Sequence, residues 1–180
     1  MLVERPAAVY LGERPLTVLG EKLEVGDAAP DFKLRANNWQ EVTLADSAGK
    51  VRLISVVPSL DTRVCDMQTR KFNEAAAGLG EDVVVLTVSA DLPYAQRRWC
   101  GAAGIDRVQT LSDHQDMNFG NAYGTHIKDL RLDQRSVFVV DGDDRVVYAE
   151  YVPVFGNEPD YEGALAAARA AAGKGGRATN

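Results

Sequence analysis

The stretch VRLISVVPSLDTRVCDMQTRKFNEAAAGLGEDVVVLTV, residues 51–88, decides the fold of this chain. Its two ends, Val51–Val57 and Val83–Val88, are rich in β-branched residues, a pattern typical of strands that are buried on both faces. Between them, positions on one helical face follow one another at Cys65, Gln68, Phe72, Ala76 and Leu79. A helix between two such strands predicts a βαβ unit with parallel strands and a right-handed crossover.

Shorter patterns outside this unit predict the remaining elements. They are one or two β-hairpins within 8–35, a helix that begins at Pro93 and runs to Cys100 with Gly101 closing it, a strand near Val108–Leu111, a helix near 115–123, an antiparallel hairpin of 135–140 and 145–152, and a last helix that opens within 157–160. Strands joined by both a parallel crossover and a hairpin predict an α/β fold in which helices flank a central mixed β-sheet. We expect one domain over residues 1–172 and a flexible C-terminal tail over 173–180.

Length and charge limit the function. A chain of 180 residues fits one domain with a hydrophobic core. The formal charge of −6 gives no long-range attraction for nucleic acid or for anionic membrane surfaces, so we expect soluble partners. The first residues carry an acid where a signal peptide is basic, and no stretch reaches the roughly 18 apolar residues of a membrane helix. These features predict a cytoplasmic protein whose two cysteines stay reduced.

One cysteine lies where reactive groups gather in α/β proteins. Cys65 falls in the first turn of the helix that follows the strand Val51–Val57. There the positive end of the helix dipole and unpaired backbone N–H groups favour a thiolate, the nucleophilic form of cysteine. Thr62 is close enough for its hydroxyl to contact the sulfur or a bound oxygen, and Pro58, which has no N–H, would form an apolar wall. The spacing alone leaves equally open that Cys65 is a small buried hydrophobic residue.

Other residues offer alternative chemistry. His114 or His126 could serve Cys65 as the base of a cysteine hydrolase, although surface positions are more typical of both. The two cysteines and two histidines lack the close spacing of zinc ligands, so we expect no metal. Asp141–Asp144 resembles part of a calcium loop without its remaining ligands and is interpreted as a hairpin turn. A non-catalytic redox-sensing or interaction domain is a third class.

The residues around Cys65 resemble those of a known family. Pro58, Thr62 and Cys65 form the pattern Pro-x-x-x-Thr-x-x-Cys, the active-site signature of the peroxiredoxins, and the string from Pro58 to Asn73 is similar to the thiol peroxidase subfamily. The similarity continues in Ser89–Pro93, Arg98–Gly101, Ala122–Gly124, Arg135–Asp141 and Glu158–Tyr161. The resemblance covers residues 8–170.

The resemblance implies a thioredoxin-like fold with an N-terminal β-hairpin, and a peroxidase that needs no cofactor. Cys65 is then the peroxidatic cysteine, Pro58 and Thr62 shape its pocket, and Arg135 brings a guanidinium to it. Thr62, the backbone N–H of Cys65 and Arg135 would donate hydrogen bonds to the peroxide oxygens. Without the resemblance, Arg135 at the start of a strand is more typical of a surface ion pair.

The resemblance also implies how the enzyme is recycled. Cys100 matches the resolving cysteine, which condenses with the sulfenic acid of Cys65 to a disulfide within one chain. Because the chain has no Cys-x-x-Cys motif, we expect an outside dithiol protein, thioredoxin, as the reductant. The implied substrates are hydrogen peroxide and organic hydroperoxides, the implied role is antioxidant defence, and the implied assembly is a homodimer.

Two segments depart from the family pattern. Residues 126–134 are more polar than the usual leucine-rich stretch, and residues 154–156 replace an acid-led segment. We expect both to affect peroxide preference and the dimer contact rather than the thiol chemistry, and Arg63 has no predicted catalytic role. Because peroxide must fit above the sulfur, we also expect the reduced thiols to be held apart. A helix end, near 62–68 or 99–101, would then open before the disulfide closes.

Overall fold

Residues 1–175 are described by a computed structural model of the chain. The strands are β1 (Glu4–Leu11), β2 (Arg14–Leu19), β3 (Leu34–Arg35), β4 (Glu41–Val42), β5 (Val51–Val56), β6 (Val83–Ser89), β7 (Gln109–Ser112), β8 (His126–Ile127), β9 (Leu132–Asp133), β10 (Ser136–Val140) and β11 (Val146–Tyr151). The helices are α1 (Arg63–Ala76), α2 (Pro93–Ala103), α3 (Asn118–Tyr123) and α4 (Tyr161–Gly175), with a short 3-10 helix at Leu44–Ser47.

A seven-stranded sheet forms the centre of the fold, in the order β11-β10-β5-β6-β7-β3-β4. Strands β5, β6 and β7 are parallel, with Val51 opposite Val83 and Val56 opposite Val88. Strand β10 runs antiparallel to β5 on its other side. Every residue of β5 is buried, which explains its dense β-branched run. The predicted βαβ unit and the central mixed sheet of a thioredoxin-like fold are confirmed.

Helices cover both faces of this sheet. Helices α1 and α4 lie on one face, where Phe72 and Leu165 pack in a cluster with side chains of β5 and β10. Helix α3 lies on the other face, with the rings of Phe119 and Tyr123 stacked at 4.2 Å between centroids. Each large side chain buried in this way contributes roughly 1.5–3 kcal/mol, so burial on both faces holds the parallel strands in place. No helix within residues 1–175 is long and apolar enough to span a membrane.

A second, smaller sheet contains the N-terminal hairpin. Strands β1 and β2 pair antiparallel, as predicted, and β8 and β9 extend the sheet in the order β1-β2-β8-β9. The polar segment 126–134 therefore supplies half the strands of this sheet. Its strands have only two residues each, too few to show an alternating pattern in the sequence. Strand β3 pairs with β4 and β7 and so belongs to the central sheet instead of an N-terminal hairpin.

Helix boundaries differ from the prediction in three places. Helix α2 continues past Cys100 and Gly101 to Ala103, and Gly104, with a φ of 67°, closes it. That left-handed conformation suits glycine, so the later of the two glycines acts as the stop. Helix α3 begins at Asn118 rather than near 115. Helix α4 reaches Gly175, so the first part of the predicted tail 173–180 is helical, and residues 176–180 lie outside the described residues.

Two carboxylic acids that no motif marks are buried together beside α3. Asp113 accepts hydrogen bonds from the backbone N–H groups of Phe119 at 3.1 Å and Gly120 at 2.9 Å. Asp133 accepts one from the Thr125 hydroxyl at 2.8 Å and lies within hydrogen-bonding reach of Asp113. A Cβ atom at Gly120 would come within 2.5 Å of Asp133 Oδ1, so glycine leaves room for the pair. Burial and the neighbouring carboxylate raise the pKa of Asp113 far above its usual range, and the pair keeps one proton near neutral pH.

We expect this pair to make the fold less stable at alkaline pH. Because the folded-state pKa is raised, the stabilisation is fully present below the unfolded pKa of an aspartate and is lost as the pH rises through the raised value. Asp133→Asn supplies a permanent N–H donor and removes the neighbouring charge, so Asp113, which stays buried, ionises at a lower pH than in the wild type. Both proteins should lose unfolding free energy as the pH rises from neutral to alkaline. The loss should be smaller in the variant, by roughly 1–3 kcal/mol. Urea unfolding of both proteins measures this difference, and parallel pH profiles would show that the pair shares no proton.

Candidate active site

Cys65 is the third residue of α1, and its side chain is fully buried. Thr62 occupies the N-cap position with an extended backbone, φ −104° and ψ 150°, so the helix begins at the next residue. The backbone N–H groups of this first turn have no carbonyl partner one turn earlier in the helix. The apolar side chains packed in the same cluster as Cys65 are Val57, Leu60 and Trp99. The sulfur thus lies at the positive end of a helix, in surroundings that exclude water.

The loop that leads into α1 is held by Asp91, which follows β6. The Asp91 carboxylate accepts hydrogen bonds from Ser59 Oγ at 2.8 Å, the Leu60 N–H at 2.9 Å and Ser89 Oγ at 2.7 Å. The carboxyl ends of the parallel strands β5 and β6 meet at one edge of the sheet, which brings Asp91 to this loop. Hydrogen bonds to an ionised acceptor are among the strongest in proteins, so the backbone before Cys65 is positioned from the neighbouring strand.

Pro58 and Thr62 flank this loop in different environments, since Pro58 is buried and Thr62 is exposed. The Thr62 hydroxyl donates a hydrogen bond to the Ser59 carbonyl at 3.0 Å and makes no capping bond to α1. With its one hydrogen engaged, the hydroxyl oxygen offers a lone pair and would accept a hydrogen bond from a peroxide O–H. The predicted donation from Thr62 to a bound oxygen would therefore require this hydroxyl to leave the Ser59 carbonyl.

Arg135 precedes β10 and is only 3% exposed, so it is not the surface ion-pair residue of the alternative interpretation. Its Nη1 donates to Gln68 Oε1 at 3.0 Å, and its Nη2 donates to the Phe155 carbonyl at 2.9 Å. Gln68 follows Cys65 by one turn on the same face of α1, and its amide donates to Ser55 Oγ of β5 at 2.8 Å. The guanidinium is therefore held against the helix face that bears Cys65. Its Nε–H is buried and has no hydrogen-bond partner within residues 1–175.

Cys100 lies inside α2 and is half-buried, and both cysteines are free. Its Sγ is 3.4 Å from Thr110 Oγ1, and the Thr110 hydroxyl donates to Asn37 Oδ1 at 2.9 Å. Because that hydroxyl hydrogen is engaged with Asn37, the Cys100 thiol is the donor in the contact with Thr110. The Cys100 carbonyl also accepts the N–H of Gly104, which closes α2. Because α2 extends to Ala103, Cys100 lies inside the helix and not in its last residues as the sequence predicted.

The two histidines have other partners than Cys65. His126 Nδ1 lies 2.7 Å from Asn121 Oδ1, and burial lowers the pKa of His126. The His114 ring packs edge-on against Trp39, with 5.7 Å between centroids. Neither histidine has a hydrogen bond to the Cys65 sulfur in the described part of the chain. A cysteine hydrolase needs such a base, so this arrangement does not support that alternative.

The acidic turn between β10 and β11 is a hairpin turn, as predicted. Asp141 Oδ1 accepts the backbone N–H groups of Asp143 at 3.0 Å and Arg145 at 2.9 Å. Asp144 forms an ion pair with the buried Arg52, with 2.7 Å between Nη1 and Oδ1. Residues 1–175 contain no group of three or more His, Cys, Asp or Glu side chains that could hold a metal ion.

Two residues that position the site were missed in the sequence. Gln68 was assigned only to the helical face of α1, yet it is a fully buried polar side chain that bonds Arg135. The signal in the sequence was a polar glutamine among apolar residues on the buried face of the predicted helix. Asp91 comes just before a helix and is of a residue type that often caps helices, but the N-cap of α2 is Leu92. Its contacts with Ser59 and Leu60 join positions about 30 residues apart, and no local pattern reports such a contact.

Comparison with known proteins places the chain in a family. The family model described as Redoxin matches residues 24–165. The thiol peroxidase of Bacillus subtilis (strain 168) is 60% identical over 156 residues, 87% of this chain and 93% of that protein. The thiol peroxidase of Halalkalibacterium halodurans is 58% identical over 165 residues, 92% of this chain and 99% of that protein.

A solved structure agrees with these relatives. The crystal structure of a peroxiredoxin-like protein from Aquifex aeolicus superposes with a TM-score of 0.84 at 36% identity, and the match covers 92% of this chain and 98% of that chain. These relatives therefore agree with the resemblance to the peroxiredoxins that the sequence showed. The segment from Pro58 to Cys65 and the mixed sheet agree with it as well. The chain belongs to the redoxin family, and within it to the thiol peroxidases of the peroxiredoxin group, which are thiol-dependent peroxidases.

Proposed function

We propose that Cys65 is the peroxidatic cysteine of this peroxidase, that Cys100 is its resolving cysteine, and that Pro58, Thr62 and Arg135 complete the peroxide site. One observation carries this assignment. Cys65 lies buried in the first turn of α1, and Gln68 holds the Arg135 guanidinium against the same face of that helix. A nucleophile at a helix N-terminus beside a fixed cation is an arrangement suited to a reaction that develops negative charge.

In the first step, the Cys65 thiolate attacks one oxygen of a hydroperoxide ROOH. The S–O bond forms as the O–O bond breaks, and the leaving RO⁻ takes a proton to become water or an alcohol. Thr62 would accept the hydrogen bond of the peroxide O–H, whereas the backbone N–H of Cys65 and Arg135 would donate to the oxygens. The Nε–H of Arg135 supports this role, because it is a buried donor that no other group within residues 1–175 engages and that is available to a bound oxygen. Donors fixed before the reaction stabilise the transition state more than the ground state.

In the second step, the Cys100 thiol attacks the Cys65 sulfenic acid. The disulfide forms and the sulfenic oxygen leaves as water. A dithiol protein of the thioredoxin type then reduces the disulfide by exchange and becomes oxidised itself. Both thiols are free in the structure, and Cys100 is engaged with Thr110, so disulfide formation requires a local opening of α1 or α2.

The surroundings of Cys65 support organic hydroperoxides as substrates besides hydrogen peroxide. Val57, Leu60 and Trp99 form an apolar cluster with the cysteine, so an alkyl group that reached the sulfur would meet apolar side chains. A homodimer is supported by Leu92 and Tyr94, whose apolar side chains are 49% and 66% exposed beside the start of α2.

Residence in the cytoplasm is supported by a thiol cycle that depends on a reducing dithiol partner.

Substitution of Cys100 by serine tests the cycle. Cys100→Ser should react once with peroxide and then stop as a Cys65 sulfenic acid, because serine cannot supply the second thiol. Intact mass should increase by one oxygen atom, whereas the wild type should lose two hydrogens as the disulfide forms. Turnover with thioredoxin, thioredoxin reductase and NADPH should fall to background. Turnover at the wild-type rate would show that Cys100 is not the resolving cysteine.

A further inference from the structure

The residue after Cys65 and the residue before Cys100 are hydrogen-bonded to each other. The indole Nε1 of Trp99 donates to Asp66 Oδ1 at 3.0 Å, across the interface between α1 and α2. Each partner is the direct sequence neighbour of one of the two cysteines. The same indole belongs to the apolar cluster around Cys65. The contact therefore joins the two segments that must rearrange before a disulfide can form.

The second oxygen of Asp66 extends this contact along α2. Asp66 Oδ2 accepts a hydrogen bond from Arg70 Nε at 2.9 Å, and Arg70 Nη1 donates to the Ala103 carbonyl at 3.3 Å. The Arg70 guanidinium also lies 5.8 Å from the centroid of the Trp99 ring. One carboxylate on α1 thus organises contacts to residues on both sides of Cys100. Arg70 and Asp66 are partly exposed, so their ion pair adds little by itself, and the indole bond is the main connection.

These contacts oppose the movement that disulfide formation requires. The bond from Trp99 to Asp66 would resist unwinding of the first turn of α1, and the packed indole would keep the Cys65 sulfur covered. Cys100 stays in α2, with its thiol on Thr110. The folded arrangement suits the reaction with peroxide, whereas the disulfide needs the two sulfur-bearing segments to approach each other. The hydrogen bond should therefore favour the first step of the cycle and slow the second.

We propose that Asp66 and Trp99 are positioning residues that form a tether between the two cysteine-bearing helices, and that this tether sets how long the Cys65 sulfenic acid persists. This inference rests on the proposed disulfide between Cys65 and Cys100. A sulfenic acid that persists reacts with a second hydroperoxide, which transfers one oxygen to give the sulfinic acid and leaves as water or an alcohol. The tether thereby determines the fraction of enzyme lost to sulfinic acid at high peroxide.

A double-mutant cycle tests the tether, with Asp66→Ala, Trp99→Phe and the double variant. Rapid mixing with peroxide, acid quench and mass spectrometry follow the sulfenic acid, the disulfide and the sulfinic acid. Each single variant should form the disulfide about threefold to tenfold faster, as expected for loss of a hydrogen bond to a charged group at a half-exposed site. The peroxide concentration that gives half sulfinic acid should rise by the same factor. The double variant should be no faster than the single ones, because both substitutions remove the same contact.

Asn73→Ala is the matched control. Asn73 Oδ1 accepts the backbone N–H of Arg107 at 2.8 Å, so it also joins α1 to the segment that follows α2, but about two helical turns after Cys65 and beyond the end of the helix that holds Cys100. This variant should keep the wild-type rate of disulfide formation. Equal acceleration in Asn73→Ala, or additive effects in the cycle, would overturn the tether by showing general loosening of the helices. Wild-type disulfide rates in Asp66→Ala and Trp99→Phe would also overturn it and leave the proposed function intact, whereas a wild type without a Cys65–Cys100 disulfide would contradict the proposed function itself.

Discussion

Replacement of Cys65 by serine is expected to abolish peroxidase turnover. An alcohol has almost no anion near neutral pH, and the attack on the peroxide bond requires an anionic nucleophile. The side chain is fully buried and serine is close to it in size, so the fold should survive the change. The measurement is peroxide-dependent NADPH oxidation with thioredoxin and thioredoxin reductase, in which the variant should not exceed the rate without enzyme.

Arg63→Ala provides the control for this prediction. Arg63 lies in the same first turn of α1 but is exposed, and its side chain has no predicted role in the reaction. Its turnover should stay close to that of the wild type. Circular dichroism of both variants should confirm that α1 and the sheet are retained. A folded Cys65→Ser protein that still consumes peroxide would contradict the assignment of Cys65 as the nucleophile.

The second large effect is expected at Arg135. Arg135→Met removes the guanidinium but fills most of its volume, and it should slow the peroxide step by roughly 10²–10³, the effect of losing one preorganised transition-state donor. The variant also leaves Gln68 Oε1 and the Phe155 carbonyl without their donor, which should cost about 1–3 kcal/mol of unfolding free energy. Stopped-flow kinetics of Cys65 oxidation measures the rate directly, at a temperature where the variant is folded.

A second buried arginine separates the catalytic effect from the loss of stability. Arg52 is completely buried near the opposite end of β5, where it bonds the Ser47 hydroxyl, two backbone carbonyls and the carboxylate of Asp144. Arg52→Met should lower the unfolding free energy without changing the second-order rate of the folded enzyme with peroxide. If Arg135→Met also keeps the wild-type rate, Arg135 serves only to hold the helix and the sheet together.

Much of the central fold was predictable because its signals are local. The β-branched runs of β5 and β6 and the helical spacing between them act within a few residues, and the structure has the parallel pair at Val51 opposite Val83. The second sheet was not predictable in this way. Its strands β8 and β9 have two residues each, and they depend on long-range pairing: β8 pairs with β2 of the N-terminal hairpin, and β9 pairs with β8.

In the candidate site, too, the local features were predictable and the long-range contacts were not. The position of Cys65 follows from the strand and helix that meet beside it, and the motif from Pro58 to Cys65 lies in one short segment. The surroundings that make Cys65 reactive come from elsewhere in the chain. Arg135 is 67 residues from Gln68, and Asp91 is 32 residues from Ser59, yet each pair forms a hydrogen bond. The position at the start of a strand predicted that Arg135 lies at the surface, whereas the structure buries it.

The sequence by itself determined the βαβ unit, the cysteine in the first turn of α1, and the family that these residues resemble. It could do so because periodicity, capping and motif spacing are properties of neighbouring residues. Only the tertiary structure decided that Gln68 fixes Arg135, that Asp113 and Asp133 share a buried site, and that Asp66 bonds Trp99. The physical reason is that a hydrogen bond or a shifted pKa depends on which groups are brought together out of water, and the packing of distant segments sets that.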